Sequence, residues 1–130
     1  MSEIILFLSI QDVIAIHEDT ILNEGGLAGI REGGLLESAA TMPQQIFEET
    51  YLHEGFAAKS AAYLYHITQN HPFYDGNKRT AAMASLIFLD VNNVTTLPSP
   101  DELEKTTLSV ATGETSKNQL IDWFWKQIGI

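Results

Sequence analysis

Apolar residues recur along most of this chain with a helical period. Ile10, Val13, Ile14, His17 and Ile21 fall on one face of a helix. Ser9 and Asp12 stand before it as a capping box, with Asp in place of the usual Glu, and Gly25-Gly26 closes it. Leu35 to Met42 predicts a short helix stopped by Pro43, and Phe56 to Asn70 a longer one with Phe56, Ala57, Leu64 and Ile67 toward the core. From Asn77, placed to cap, to about Asp90 the residues are apolar nearly all round, the pattern of a central buried helix. Ser99-Pro100-Asp101-Glu102 opens another helix, with serine at the cap and proline at the first position, and Gly113 ends it. Ser116 and Gln119 form a capping box ahead of a stripe of Leu120, Ile121, Phe124, Trp125 and Ile128. Two short β-rich runs, Ile4 to Leu8 and Val94 to Leu97, predict strands. The glycine-rich stretch from Gly25 to Gly34 reads as a loop, and Gln44 to Gly55 is the least regular part. With no repeat, low-complexity tract or linker, the pattern predicts one mainly α domain over residues 1–130. It is a compact bundle around one buried central helix, with a small peripheral strand pair.

Composition narrows the classes. A chain of 130 residues, 45% apolar, can bury a core without staples, and it has no cysteine for disulfides or thiolate metal sites. Its net charge is −10, from 17 acidic and 7 basic residues. A duplex-binding surface needs clustered cations, so nucleic acid is not an expected partner, and a basic protein segment is. The run Ile4 to Leu8 is too short to span a bilayer, and no Lys or Arg precedes it as in a signal peptide. The expectation is a cytoplasmic protein without a membrane anchor.

The candidate chemistry lies in nine residues, His71-Pro72-Phe73-Tyr74-Asp75-Gly76-Asn77-Lys78-Arg79, between two predicted helices. Cations in the first turn of a helix oppose its dipole, so Lys78 and Arg79 there call for a compensating anion. Backbone N–H groups at Gly76, Asn77 and Lys78 would point toward one, with Gly76 allowing close approach. Arg79 offers a fork and Lys78 a point charge for phosphate. Asp75 would repel phosphate unless Mg²⁺ lies between them, and a carboxylate suits that ion. Histidine side chains titrate near neutrality, which makes His71 a candidate base for an attacking hydroxyl. Phe73 is the large apolar residue that would anchor the loop. These parts suit phosphoryl or nucleotidyl transfer, while a plain capping loop with surface cations fits the same residues. A Walker-type phosphate loop fits worse, because Lys78 is followed by Arg and only Gly76 is available.

The nine residues resemble the signature of the Fic/Doc superfamily, the Fido fold. That signature is His, any residue, Phe, any residue, Asp or Glu, Gly or Ala, Asn, Gly or Lys, Arg, and every defined position is met. Gly25-Gly26-Leu27, Gly29-Ile30-Arg31 and Gly34-Leu35-Leu36-Glu37-Ser38-Ala39 are similar to the N-terminal pattern of the death-on-curing branch. Ala111-Thr112-Gly113-Glu114 is similar to a stretch near that branch's C-terminus. The likeness extends over almost the whole chain. It implies a Fido-type helical bundle with His71 as general base, Asp75 holding Mg²⁺, Gly76, Asn77 and Lys78 as the anion nest, Arg79 gripping phosphate and ATP as donor. Most of the superfamily transfers AMP to a protein hydroxyl and carries Gly where this chain has Lys78. The death-on-curing branch carries Lys and resembles a protein kinase. Lysine fills space the glycine form leaves open, so the nucleotide can bind reversed, with its γ-phosphate at the nest. Phosphate transfer is therefore favoured over AMP transfer, with an inert nucleotide- or partner-binding module as a third reading. The resemblance further implies a type II toxin that halts growth by modifying the translation elongation factor that carries aminoacyl-tRNA. Its partner would be a small antitoxin whose tail folds on binding.

His17, His53 and His66 have no metal-ligand spacing and read as core or surface histidines, and of Trp123 and Trp125 one is expected in the core. Some Fic enzymes inhibit themselves through a Ser/Thr-x-x-x-Glu-Gly/Asn helix. Thr20 to Gly25 and Thr50 to Gly55 both match, which shows chiefly how loose that pattern is. In-chain inhibition by Glu24 or Glu54 is not expected. In the superfamily an irregular segment aligns the target beside the base by strand-like pairing, and Gln44 to Tyr51 is the candidate.

Overall fold

A computed structural model describes residues 4–130. The helices are α1 (Ile10–Glu24), α2 (Gly33–Thr41), α3 (Gly55–Asn70), α4 (Asn77–Val91), α5 (Pro100–Ala111) and α6 (Lys117–Ile128). A 3₁₀ turn at Met42–Gln44 and a hairpin of β1 (Ile46–Phe47) and β2 (Thr50–Tyr51) connect α2 to α3. Both expected capping boxes form, at Ser9–Asp12 and Ser116–Gln119, and Ser99 accepts from the Glu102 N–H. The mainly α bundle with one small strand pair is as the sequence pattern predicts. No helix among the described residues is long and apolar enough to cross a membrane.

The centre of the bundle is α3 rather than the predicted helix from Asn77. Ten of its 16 residues are buried, and α2, α4, α5 and α6 all pack on it. Ala57, Ala58, Ser60, Ala61 and Ala62 keep its surface small in several directions, so neighbours approach from all sides. Helix α4, apolar nearly all round in sequence, buries Ala81, Ala84, Phe88 and Leu89 against α3 but leaves Met83 exposed and Leu86 and Ile87 half-buried. In α6, Leu120, Phe124 and Ile128 face the core, Trp123 is half-buried and Trp125 is exposed.

The strand pair lies elsewhere than predicted. Ile4 to Leu8 joins no sheet, and side chains take the backbone groups of Leu6 and Leu8. The Asn92 amide accepts from Leu6 N (2.9 Å) and donates to Leu6 O (2.8 Å). The buried Tyr63 hydroxyl accepts from Leu8 N (2.8 Å) and donates to Leu8 O (3.2 Å). Val94 to Leu97 is likewise irregular, with Val94 tucked into the core. The hairpin forms instead within the segment read as least regular. Ile46 pairs with Tyr51 and Phe47 with Thr50 around Glu48 and Glu49, both at positive φ. Positive φ at both central positions is a hairpin turn that usually calls for Asn or Gly, so the sequence carries no turn signal there.

Below the hairpin sits a basic cluster in which His53 and Lys59 are buried and His66 and Lys117 half-buried. Lys59, 2% exposed, donates from Nζ to His53 O (2.7 Å) and lies 4.1 Å from the centre of the Tyr51 ring. Lys117 Nζ meets His66 Nε2 at 2.9 Å, and the His53 and His66 rings meet edge-on. Burial, and then the Lys117 charge, push both histidines down from 6.5 to about 4.

Two predictions follow from these contacts. Tyr63→Phe leaves the buried Leu8 N–H and C=O unpartnered, and chemical denaturation should show a loss of about 1–3 kcal/mol. The histidines bind protons more tightly unfolded than folded. Their contribution to stability is therefore full above their ordinary value of 6.5 and is lost as pH falls toward 4. The denaturation midpoint should drop over that window, and His53→Asn/His66→Asn should flatten the drop.

Candidate active site

The segment from His71 to Gly76 belongs to no helix or sheet, so its backbone must find partners elsewhere. The glycine-rich loop between α1 and α2 supplies most of them. Arg31 N and Glu32 N donate to Pro72 O (2.7 and 3.1 Å), Tyr74 N donates to Gly29 O (3.3 Å), and Ile30 and Phe73 form an antiparallel bridge. Arg31 also caps the C-terminus of α3, donating from Nε to His71 O (2.7 Å) and from Nη2 to Asn70 O (3.0 Å). A cation there complements the helix dipole. Leu27 N donates to Asp75 Oδ2 (2.8 Å). Gly26, at φ 112°, lets this loop pass: a Cβ on it would lie 3.3 Å from Asp75 Cβ.

The motif also holds itself. Phe73 N donates to Asn77 Oδ1 (2.9 Å), and Asn77 Nδ2 donates to Phe73 O (2.9 Å) and approaches His71 Nδ1 at 3.2 Å. The two bonds to Phe73 orient the amide so that its NH₂ faces the ring, and His71 Nδ1 is the acceptor. Asn77 therefore does not cap α4, as its sequence position suggests. The N-cap is Gly76 in the left-handed region (φ 74°), and no side chain caps the helix. The positive φ at Gly76 favours glycine, and a Cβ there would lie 3.3 Å from Ile21 Cδ1, close enough that this side chain would have to shift slightly. Phe73 is fully buried, as its anchoring role requires.

His71 is exposed and takes φ 49°, ψ 55°. A non-glycine residue in that region carries strain, which tends to be retained at functional positions. Lys78 and Arg79 are exposed on the first turn of α4. Arg79 Nη2 lies 3.5 Å from Glu24 Oε2, the one ion pair among the described residues, with both side chains about half exposed (48% and 49%). Glu54 sits at the start of α3, the opposite end of that helix from His71. The donor set suits Mg²⁺. Asp75 has one oxygen held by Leu27 N–H and the other without a partner among the described residues. No group of three or more His, Asp or Glu gathers there into a full metal cage. A single carboxylate that leaves the remaining positions to phosphate and water is a usual arrangement for that ion.

Two supporting residues carry more than the sequence pattern assigned them. His17, 3% exposed, donates from Nε2 to Asp75 O (2.8 Å) and stacks on Phe73 with ring centres 3.7 Å apart. It is a core histidine, as expected, and also a strut of the loop; its place in an otherwise aliphatic stripe was the available signal. Arg31 was visible only as part of a sequence likeness. The hairpin proposed to align a target is anchored on the other half of the molecule. Tyr51 packs over Lys59, and Lys59 lies 12 positions before His71, about 18 Å along α3. Within the chain, the strand-like pairing beside the motif comes from Gly29 to Glu32.

The fold and the site define a class: a helical protein in which the uncapped N-terminus of one helix is flanked by a histidine and a carboxylate. The chain belongs to the Fic/DOC family, whose sequence model matches residues 7–89. It is 36% identical over 115 residues to "Protein kinase doc" of Escherichia phage P1, covering 88% of this chain and 90% of that protein. It is 39% identical over 70 residues to "Toxin Doc" of Mycolicibacterium smegmatis, covering 54% of each.

His17→Phe keeps the stack on Phe73 but leaves Asp75 O without its donor. We expect a stability loss of about 1–3 kcal/mol by denaturation and faster amide exchange in residues 72–76. Unchanged exchange there would remove His17 as a strut of the site.

Proposed function

We propose that the chain is a Doc-like toxin that transfers the γ-phosphate of ATP to a Ser or Thr hydroxyl of a translation factor, arresting growth. The observation that carries this reading is Lys78 in the open first turn of α4, within a motif that also presents His71 and Asp75. The N–H groups at Gly76, Asn77 and Lys78 bind phosphate oxygens, Arg79 grips them as a fork, and Lys78 adds its charge. The arriving phosphates displace Glu24 from Arg79, an exposed pair worth about 0–1 kcal/mol. Glu24 is thus a weak competitor rather than a lock. Asp75 would hold Mg²⁺, which would supply positive charge beside the transferred group.

His71 takes the proton of the attacking hydroxyl. Its Nε2 has no partner among the described residues and accepts once the ring proton moves to Nδ1. That tautomer gives up the 3.2 Å contact with Asn77, a small loss at such length. The hydroxyl oxygen then bonds to the γ-phosphorus, the bond to the bridging oxygen breaks, and ADP leaves. The likeness to the phage P1 kinase over 88% of this chain supports phosphate rather than AMP as the transferred group. The natural partner is an antitoxin whose tail folds over this face, and both act in the cytoplasm.

Intact-mass spectrometry of the modified target, made with ATP and Mg²⁺, should show the addition of phosphate. A gain of AMP would replace the kinase reading with nucleotidyl transfer. Expression of the wild type should arrest growth, and His71→Ala should relieve the arrest with the protein still folded. Arrest that persists in His71→Ala would leave a binding module.

A further inference from the structure

Beyond the motif, a cleft of about 300 Å³ runs from Gly76, Asn77, Lys78 and Arg79 along the groove between α4 and α5. Its walls are Ala82, Met83 and Leu86 on one side and Leu103 and Leu108 on the other, with Glu104 on the α5 side. Resting on the reading of the motif as an ATP phosphate site, we propose that this cleft seats the nucleoside of the donor, with Glu104 accepting hydrogen bonds from the ribose diol.

Three features carry the assignment. The cleft is continuous with the uncapped helix end, so a chain of phosphates leaving the nest along α4 leads into it. Its size is at the lower end for small-molecule pockets, about 300–1,000 Å³, and its apolar walls with few polar groups are the usual lining. A helix about 10–12 Å across can lie over such a cleft but cannot enter it. The polar groups within it are selective. Thr107 is buried and donates to Leu103 O (2.7 Å), whereas Glu104 is exposed and forms no ion pair among the described residues. A free carboxylate beside a phosphate site opposes the phosphates, so its presence fits a donor group such as a diol. In this orientation the terminal phosphate lies nearest His71 and the nucleoside farthest, the order that phosphate transfer needs.

The test compares ATP with inorganic tripolyphosphate, both with Mg²⁺, by calorimetric titration of the full chain. Leu108→Trp, at a half-exposed position (48%), and Met83→Trp, at 39%, fill the cleft from opposite walls without disturbing the core. Each should weaken ATP by about tenfold or more and leave tripolyphosphate unchanged. Glu104→Gln should weaken ATP several-fold and leave 2′,3′-dideoxy-ATP unaffected. ATP affinity that survives both tryptophans, or falls together with that of tripolyphosphate, overturns the cleft as the nucleoside seat. ATP affinity unchanged or raised in Glu104→Gln overturns the role of that residue. Failure of the wild type to bind either compound would instead remove the phosphate-site reading on which the inference stands.

Discussion

The structure turns on the need to satisfy the backbone of six residues, His71 to Gly76, that belong to no regular element. An unpartnered buried peptide group costs on the order of 1–3 kcal/mol, so such a loop persists only where other parts of the chain are shaped to serve it. Here the glycine-rich loop after α1 pairs with it in strand fashion. Arg31 caps the helix before it, and Asn77 and His17 bind it from below. Parts of the chain about 40 to 60 residues apart are thereby committed to one geometry. That geometry leaves the first turn of α4 without an internal cap.

The same economy explains the charge arrangement. No side chain caps α4, and its first turn carries two exposed cations, Lys78 and Arg79, within an acidic protein. Glu24, at the last position of α1, is the acidic group that reaches Arg79. The contact is long and half exposed, so it adds little to stability. Asp75 is held in place by Leu27 N–H and His17 rather than by a cation. Its other oxygen has no partner among the described residues.

Much of the fold was legible in the order of residues. Helix ends are local events, and Ser9, Ser99 and Ser116 cap where their spacing to Asp12, Glu102 and Gln119 says they should. The candidate site was legible for a related reason, since its functional groups lie within nine consecutive residues. Strands were not. Whether Ile4 to Leu8 pairs depends on what lies opposite, and there the Asn92 amide and Tyr63 hydroxyl take the place of a strand. The hairpin at Glu48-Glu49 carries no turn residue at all.

The chain's own order of residues thus determined the helices, the serine caps of α1, α5 and α6 and the grouping of candidate residues from His71 to Arg79, because each depends on neighbours within a few positions. Tertiary structure alone decided that α3 is the hub, that Asn77 binds Phe73 and His71 rather than capping its helix, and that His17 and Arg31 support the site. It also decided that Glu24 meets Arg79. These are contacts between segments distant in sequence or between side chains whose direction only packing sets, and local pattern carries no record of them.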